Sequence, residues 1–225
     1  MIYNIELIDN HIVIVEDGLR FLIDTGSPVT ISNHATISLF GVRVNAQQNI
    51  IGHTSIDDIN RSIPKANLDA LIGVDILNKI SFSISLSNKL LKLNPVINHN
   101  EYNEFSLSNF MEIPIVVLMI CGKEVNFFLD TGAKISYLNS NFVKDQQPIR
   151  VEQDFYPGFG DFETSIFQIQ AELFYQLKKH DFGVLPESLE SSLSVGGTNG
   201  IIGNNILLNF DMVIDNIQNK IFVKK

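Results

Sequence analysis

Three large apolar residues followed by Asp-Thr-Gly occur twice in this chain. Phe21-Leu22-Ile23-Asp24-Thr25-Gly26-Ser27 returns as Phe127-Phe128-Leu129-Asp130-Thr131-Gly132-Ala133, an offset of 106 residues from Asp24 to Asp130. Gly52 and Gly158 match at the same offset. Leu71-Ile72-Gly73 and Ile201-Ile202-Gly203 also match, but at an offset of 130, so the second copy carries a net insertion of 24 residues between its glycines. A single Asp-Thr-Gly arises by chance in roughly one chain in twenty of this length. Two, each with apolar residues before it and an apolar-apolar-Gly after it, indicate one structural unit written twice.

The flanks repeat as well. Before the first Asp-Thr-Gly, Ile12–Val15, the turn Glu16-Asp17-Gly18 and Leu19–Ile23 read as a hairpin. Before the second, Ile113–Ile120, a turn at Cys121-Gly122-Lys123 and Val125–Leu129 do the same. After Gly73 and Gly203 come short helix-like stretches, Ile76-Leu77 and Ile206-Leu207-Leu208. Two strands follow each, with turns at Ser87-Asn88-Lys89 and Gln218-Asn219-Lys220. Outside these, only Pro186–Leu193 reads as helix. The pattern predicts a mainly β protein of two similar lobes, residues 1–98 and 111–225, with the Asn-, Ser- and Glu-rich stretch 99–110 as linker.

Composition narrows the class. Apolar residues form 45% of the 225, enough for a real core without disulfides, and the single cysteine, Cys121, cannot form an internal bridge. With 25 acidic against 16 basic residues the formal charge is −9, which disfavours nucleic acid as a partner. The longest apolar run, Ile113 to Cys121, is about half a membrane span, so no membrane partner is expected. Residues 1–10 carry Glu6 and Asp9 where a secretion signal needs apolar residues, so the expected location is cytoplasmic.

A carboxylate at the end of an apolar strand is costly to bury unless it is paired or hydrogen-bonded, and an adjacent glycine lets backbone N–H groups approach it. If the two copies pack about a pseudo-twofold axis, Asp24 and Asp130 face each other. Two such carboxylates share a proton, so one can act as general acid and the other as general base. The aspartic-protease dyad is the known instance of this arrangement.

The doubled motif, Phe-Leu-Ile-Asp-Thr-Gly-Ser with Leu-Ile-Gly and Phe-Phe-Leu-Asp-Thr-Gly-Ala with Ile-Ile-Gly-Asn-Asn, resembles the aspartic proteases, each half being similar to a retroviral-type (retropepsin-like) subunit. The chain resembles a fused retroviral-type dimer, with the connectivity of a pepsin at a smaller size. The resemblance implies a two-lobed acid-protease fold and an endopeptidase that needs no cofactor. Its partner would be a peptide or protein substrate, cleaved by a monomer with two pseudo-symmetric lobes. Asp24 and Asp130 would be the catalytic pair. Thr25 and Thr131 would lock each loop to the other, and Gly26 and Gly132 would present N–H groups to the carboxylates. Ile2–Ile8 and Lys220–Val223 would pair across the lobe interface. The competing reading is a protease-fold module that grips a peptide but cleaves it weakly or not at all.

Three departures from that pattern carry expectations. No pro-segment is evident. Ser27 stands where the second copy has Ala133, so its hydroxyl is expected to favour ionised Asp24 and leave Asp130 the more easily protonated. Only 20 residues separate Gly52 from Gly73, against 44 between Gly158 and Gly203. The main flap over the cleft is therefore expected on the second lobe, at Asp154–Phe162, with Gly158 and Gly160 in its turn and Tyr156 and Phe159 covering substrate. The stretch Asn49–His53 has one glycine and no aromatic. His11, His34, His53, His99 and His180 show no metal-ligand spacing, so no metal is expected. Asp57-Asp58 reads as a solvated turn.

Overall fold

A computed structural model describes residues 1–49 and 54–225. The structure is mainly β, in two lobes of common topology. In the first lobe, strands Ile2–Ile8, His11–Glu16 and Leu19–Ile23 form an antiparallel meander. Its two-residue turns, Asp9-Asn10 and Asp17-Gly18, have positive φ at both positions, the hand that suits twisted strands. The second lobe repeats this with Met111-Glu112 and Cys121-Gly122 between strands Ser108–Phe110, Ile113–Ile120 and Lys123–Leu129.

A third chain segment then slots in parallel. Ala70–Ile72 pairs with Leu19–Ile23, and Gly200–Ile202 with Lys123–Leu129. Both inserted strands are buried throughout, as parallel strands covered on both faces require. They fix the ends of the neighbouring strands: Asp24 N–H donates to the Ile72 carbonyl and Asp130 N–H to that of Ile202, each at 3.0 Å. Gly73 and Gly203 pass so close to the backbone at Val29 and Ile135 that a Cβ there would collide with it. Short helices Val74–Leu77 and Asn204–Leu207 follow.

The lobes share one sheet, in the order Tyr102–Ser106, Lys220–Lys224, Met212–Asp215, Ser81–Ser85, Leu90–Leu93, Ile2–Ile8. The expectation that the terminal strands cross the interface is corrected. The crossing pair is Ser81–Ser85 against Met212–Asp215, with Phe82 opposite Ile214. Met212–Asp215 is buried along its whole length and suits the centre. Ile2–Ile8 is mostly exposed and suits an outer position beside Leu90–Leu93. The polar stretch 99–110 joins the lobes but also carries strands. Tyr102–Ser106 and Ser108–Phe110 together occupy the place that Ile2–Ile8 holds in the first lobe.

One apolar core runs through both lobes and the shared sheet, with Phe21, Phe82, Phe127 and Phe182 among its fully buried side chains. Each such ring contributes about 1.5–3 kcal/mol, so separating the lobes would forfeit a common core. Two smaller clusters flank the space between the lobes. One is centred on Leu22, Ile56, Ile59 and Leu71, the other on Tyr137, Ile166 and Ile201.

Helix Ile56–Ser62 builds the first of these clusters, and it corrects the reading of Asp57-Asp58 as a solvated turn. Ser55 caps the helix, its hydroxyl accepting from Asp58 N–H, while the Asp58 carboxylate accepts from Ser55 N–H at 2.7 Å. Asp57 accepts a hydrogen bond from Asn33 Nδ2. The helix read at Pro186–Leu193 spans Glu187–Val195. No helix among the described residues is long and apolar enough to cross a membrane.

Candidate active site

The two Asp-Thr-Gly loops meet at the centre of the molecule. Thr25 and Thr131 are fully buried and exchange hydrogen bonds: each backbone N–H donates to the other's Oγ1 at 3.0 Å. Thr25 Oγ1 donates to the Leu129 carbonyl at 2.6 Å and Thr131 Oγ1 to the Ile23 carbonyl at 2.8 Å. Each threonine thus satisfies two backbone groups of the opposite loop, which could not stay buried unpaired.

This interlock brings the Asp24 and Asp130 carboxyl groups face to face, each against the glycine of the opposite loop. Asp24 Oδ1 accepts from Gly26 N–H at 2.9 Å and Ser27 N–H at 3.0 Å. Asp130 Oδ1 accepts from Gly132 N–H at 2.8 Å and Ala133 N–H at 3.0 Å. Glycine is required beside each aspartate, because a Cβ at Gly26 would fall on the Asp130 carboxyl and one at Gly132 on that of Asp24.

Burial raises both carboxyls above the ordinary value. At Asp24 the Asp130 charge adds to the desolvation, and the pair holds its proton as a unit. The cause from which Asp130 was expected to be the easier to protonate is absent. The Ser27 hydroxyl donates to the Val29 carbonyl at 2.9 Å, across its own turn, and leaves Asp24 to the backbone N–H groups.

The aspartates floor a cavity of about 560 Å³. Its cover is a hairpin of the second lobe, strands Arg150–Tyr156 and Gly160–Leu173. Gly158 and Gly160 both have positive φ in its turn. The tip crosses to the first lobe, where Gly158 N–H donates to Thr54 Oγ1 at 2.8 Å. Tyr156 lines the cavity, and burial together with the Asp130 and Asp24 charges raises its phenol above the usual value. Phe155 packs against the cluster of the opposite lobe.

Phe159 does not cover the cavity. It is 45% exposed at the tip and packs edge-on against Phe162, and Phe162 lines the cavity instead. The reason is strand alternation: Phe162 pairs with Asp154 and shares its face with Tyr156, whereas Phe159 lies in the turn. The first-copy stretch Asn49–His53 lies outside the described residues apart from Asn49.

Several cavity residues were given no role by the sequence. Ile59 and Ile63 come from the capped helix and its end, which the Ser55-x-x-Asp58 pattern could have revealed. Asp154, Tyr137, Lys134 and His11 gather on one wall from separate parts of both lobes. Tyr137 donates a short hydrogen bond to Asp154 Oδ2. Among the described residues no group of three or more His, Cys, Asp or Glu side chains is placed to hold a metal ion.

No protein-family model matches the chain, and no curated protein does. Among solved structures it is similar to the solution structure of Simian Foamy Virus (mac) protease. That match has 13% identity and a TM-score of 0.30, and covers 40% of this chain and 86% of that one.

Proposed function

We propose that this chain is an aspartic endopeptidase that hydrolyses peptide bonds in extended peptide or protein segments. The observation that supports it is the facing Asp24–Asp130 pair, buried under a hairpin at the floor of a cavity between two lobes. In this reading the ionised carboxylate takes a proton from water, whose oxygen attacks the peptide carbonyl carbon. The protonated carboxyl gives its proton to the carbonyl oxygen, forming a neutral tetrahedral diol. The diol then collapses: one hydroxyl proton returns to the pair, the amide nitrogen is protonated, and the C–N bond breaks. Water and two carboxylates supply every group the chemistry needs, so no cofactor enters. Tyr156 and the hairpin exclude bulk water from the site. A peptide-binding module would have no use for two facing carboxylates whose burial opposes folding.

The test is cleavage of a peptide library, its sensitivity to pepstatin, and the variants Asp24→Asn and Asp130→Asn. Each variant is expected to lose about 10²–10⁴-fold or more in kcat/KM while remaining folded. Near-normal turnover in either variant would overturn the dyad. Activity regained on mixing the two inactive variants would show that the pair forms between chains.

A further inference from the structure

The pseudo-twofold makes the two walls of the cavity directly comparable, and they differ in chemistry. The first-lobe wall is uncharged and mostly apolar: Leu22, Pro28, Ile59, Ile63 and Leu71 line it, with Ser62 among them. At the 106-residue offset, Pro28 becomes Lys134 and Ile31 becomes Tyr137. On that second wall the hairpin adds Asp154, and the turn of the first lobe adds Asp9 and His11.

Asp154 is short of donors for a carboxylate in such a place. Oδ2 accepts from the Tyr137 hydroxyl and Oδ1 from Phe155 N–H at 2.9 Å, which leaves about half of its lone-pair sites open. Lys134 does not fill them, because its Nζ is held by Asp9 Oδ2 at 3.3 Å and the Gln153 carbonyl at 3.2 Å. His11 does not fill them either: its Nδ1 pairs with the Ile8 carbonyl at 3.2 Å, and burial lowers its pKa and keeps it neutral. Burial raises the Asp154 carboxyl above its ordinary value in spite of Tyr137 and Lys134. Asp161, exposed at the same rim, adds a further negative charge. The wall thus holds three carboxylates against one lysine that is already engaged.

We propose that this wall selects a substrate with a lysine or arginine side chain beside the scissile bond, and that Asp154 is the residue that selects it. The proposal rests on the endopeptidase reading for the identity of the ligand as a peptide. The opposite wall takes the aliphatic or aromatic side chain on the other side of the bond. A substrate cation would reach Asp154 through the cavity and complete its coordination with charge-assisted hydrogen bonds. The pairing is intrinsically directional, since only one of the two walls carries the acid.

The experiment uses the full chain and matched peptides that differ only in lysine or norleucine at the two positions flanking the scissile bond. Cleavage is read with the wild type. Affinity is read with the Asp24→Asn/Asp130→Asn chain, so that binding is scored without turnover. The lysine peptide is expected to exceed the norleucine peptide about tenfold or more in one of the two positions, in kcat/KM and in affinity. Asp154→Asn, which can still accept from Tyr137, should bring both ratios close to one, and Asp154→Ser is the second variant should the first not fold. A ratio near one in the wild type, or a ratio unchanged by either variant, overturns the proposal. Lysine-selective binding without cleavage would sink the endopeptidase reading and leave this inference standing. Cleavage without lysine preference would do the reverse.

Discussion

The first lobe passes from its small hairpin, Thr36–Leu39 and Val42–Asn45, to helix Ile56–Ser62 within about ten residues. The second lobe uses the same interval to send out Arg150–Tyr156, return along the 14-residue strand Gly160–Leu173, and add Gln176–Phe182 before its helix. Below that level the lobes agree almost bond for bond. Asp24 and Asp130 receive the same two backbone N–H groups, and Thr25 and Thr131 make the same pair of reciprocal bonds. The inserted strands close on Gly73 and Gly203 in the same way, Gly73 N–H donating to Thr30 Oγ1 and Gly203 N–H to Ser136 Oγ. The aspartate loops must match because each is completed only by the other. The cover need not match, because a hairpin crossing from one lobe to Thr54 of the other already lies over both aspartates.

The sharpest way to break the matching half is at the threonines. Thr25→Val leaves Thr131 N–H and the Leu129 carbonyl without their partner, and Thr131→Val does the same to Thr25 N–H and the Ile23 carbonyl. Each should cost about 2–4 kcal/mol of stability in urea unfolding, and the two should agree closely. A large difference between them would mean that the loops are not equivalent.

The next test concerns the aspartates themselves. Both carboxyls are raised in the fold, so the folded chain holds more protons than the unfolded one above the ordinary carboxyl value of about 4. Stability should therefore fall as pH rises from there toward the raised values, by up to about 1.4 kcal/mol per pH unit for one proton. Asp24→Asn or Asp130→Asn removes one of the two raised carboxyls and so lessens this penalty. Either variant should match the wild type near pH 3 and gain on it steadily toward neutral pH in thermal melts. A gap that is constant with pH would contradict the raised values.

A smaller effect tests the unmatched half. Thr54→Val removes the acceptor for Gly158 N–H and should loosen the hairpin tip by about 0.5–1.5 kcal/mol. Global stability should hardly change, while hydrogen exchange at the tip should quicken and KM rise by several-fold. An unchanged exchange rate would show that the tip is held by the Phe159–Phe162 contact instead.

The smallest effect distinguishes the one position where the loops differ. Ser27→Ala removes a hydroxyl that faces Val29, not Asp24. It should leave the acidic limb of the kcat/KM profile in place and cost at most about 1 kcal/mol. A shifted limb would restore the reading in which that hydroxyl tunes the dyad.

The doubled Asp-Thr-Gly, with its apolar strands before and apolar-apolar-Gly after, was enough to specify two β lobes and to nominate Asp24 and Asp130. It was legible because each feature is local: a strand period, a turn pair such as Asp17-Gly18, a glycine beside a carboxylate. The 24-residue excess was enough to locate the hairpin on the second lobe, since chain length bounds what an interval can build. Strands 102–106 and 108–110 were hidden because an edge strand needs few apolar residues, and helix Ile56–Ser62 because its signal was a cap rather than a long amphipathic run. Which side chains meet across the cleft was beyond the reach of local pattern. Asp154 touches Tyr137, and His11 and Lys134 share their wall, only after the two lobes pack and the hairpin folds over. Phe159 and Phe162 are alike in composition, and only strand register decides that Phe162 faces the aspartates and Phe159 the solvent. The twofold was written in the sequence, and so were the exchanges of Pro28 for Lys134 and Ile31 for Tyr137; that these meet Asp154, Asp9 and His11 on one wall was set by packing, because burial and partner geometry exist only between segments distant in the chain.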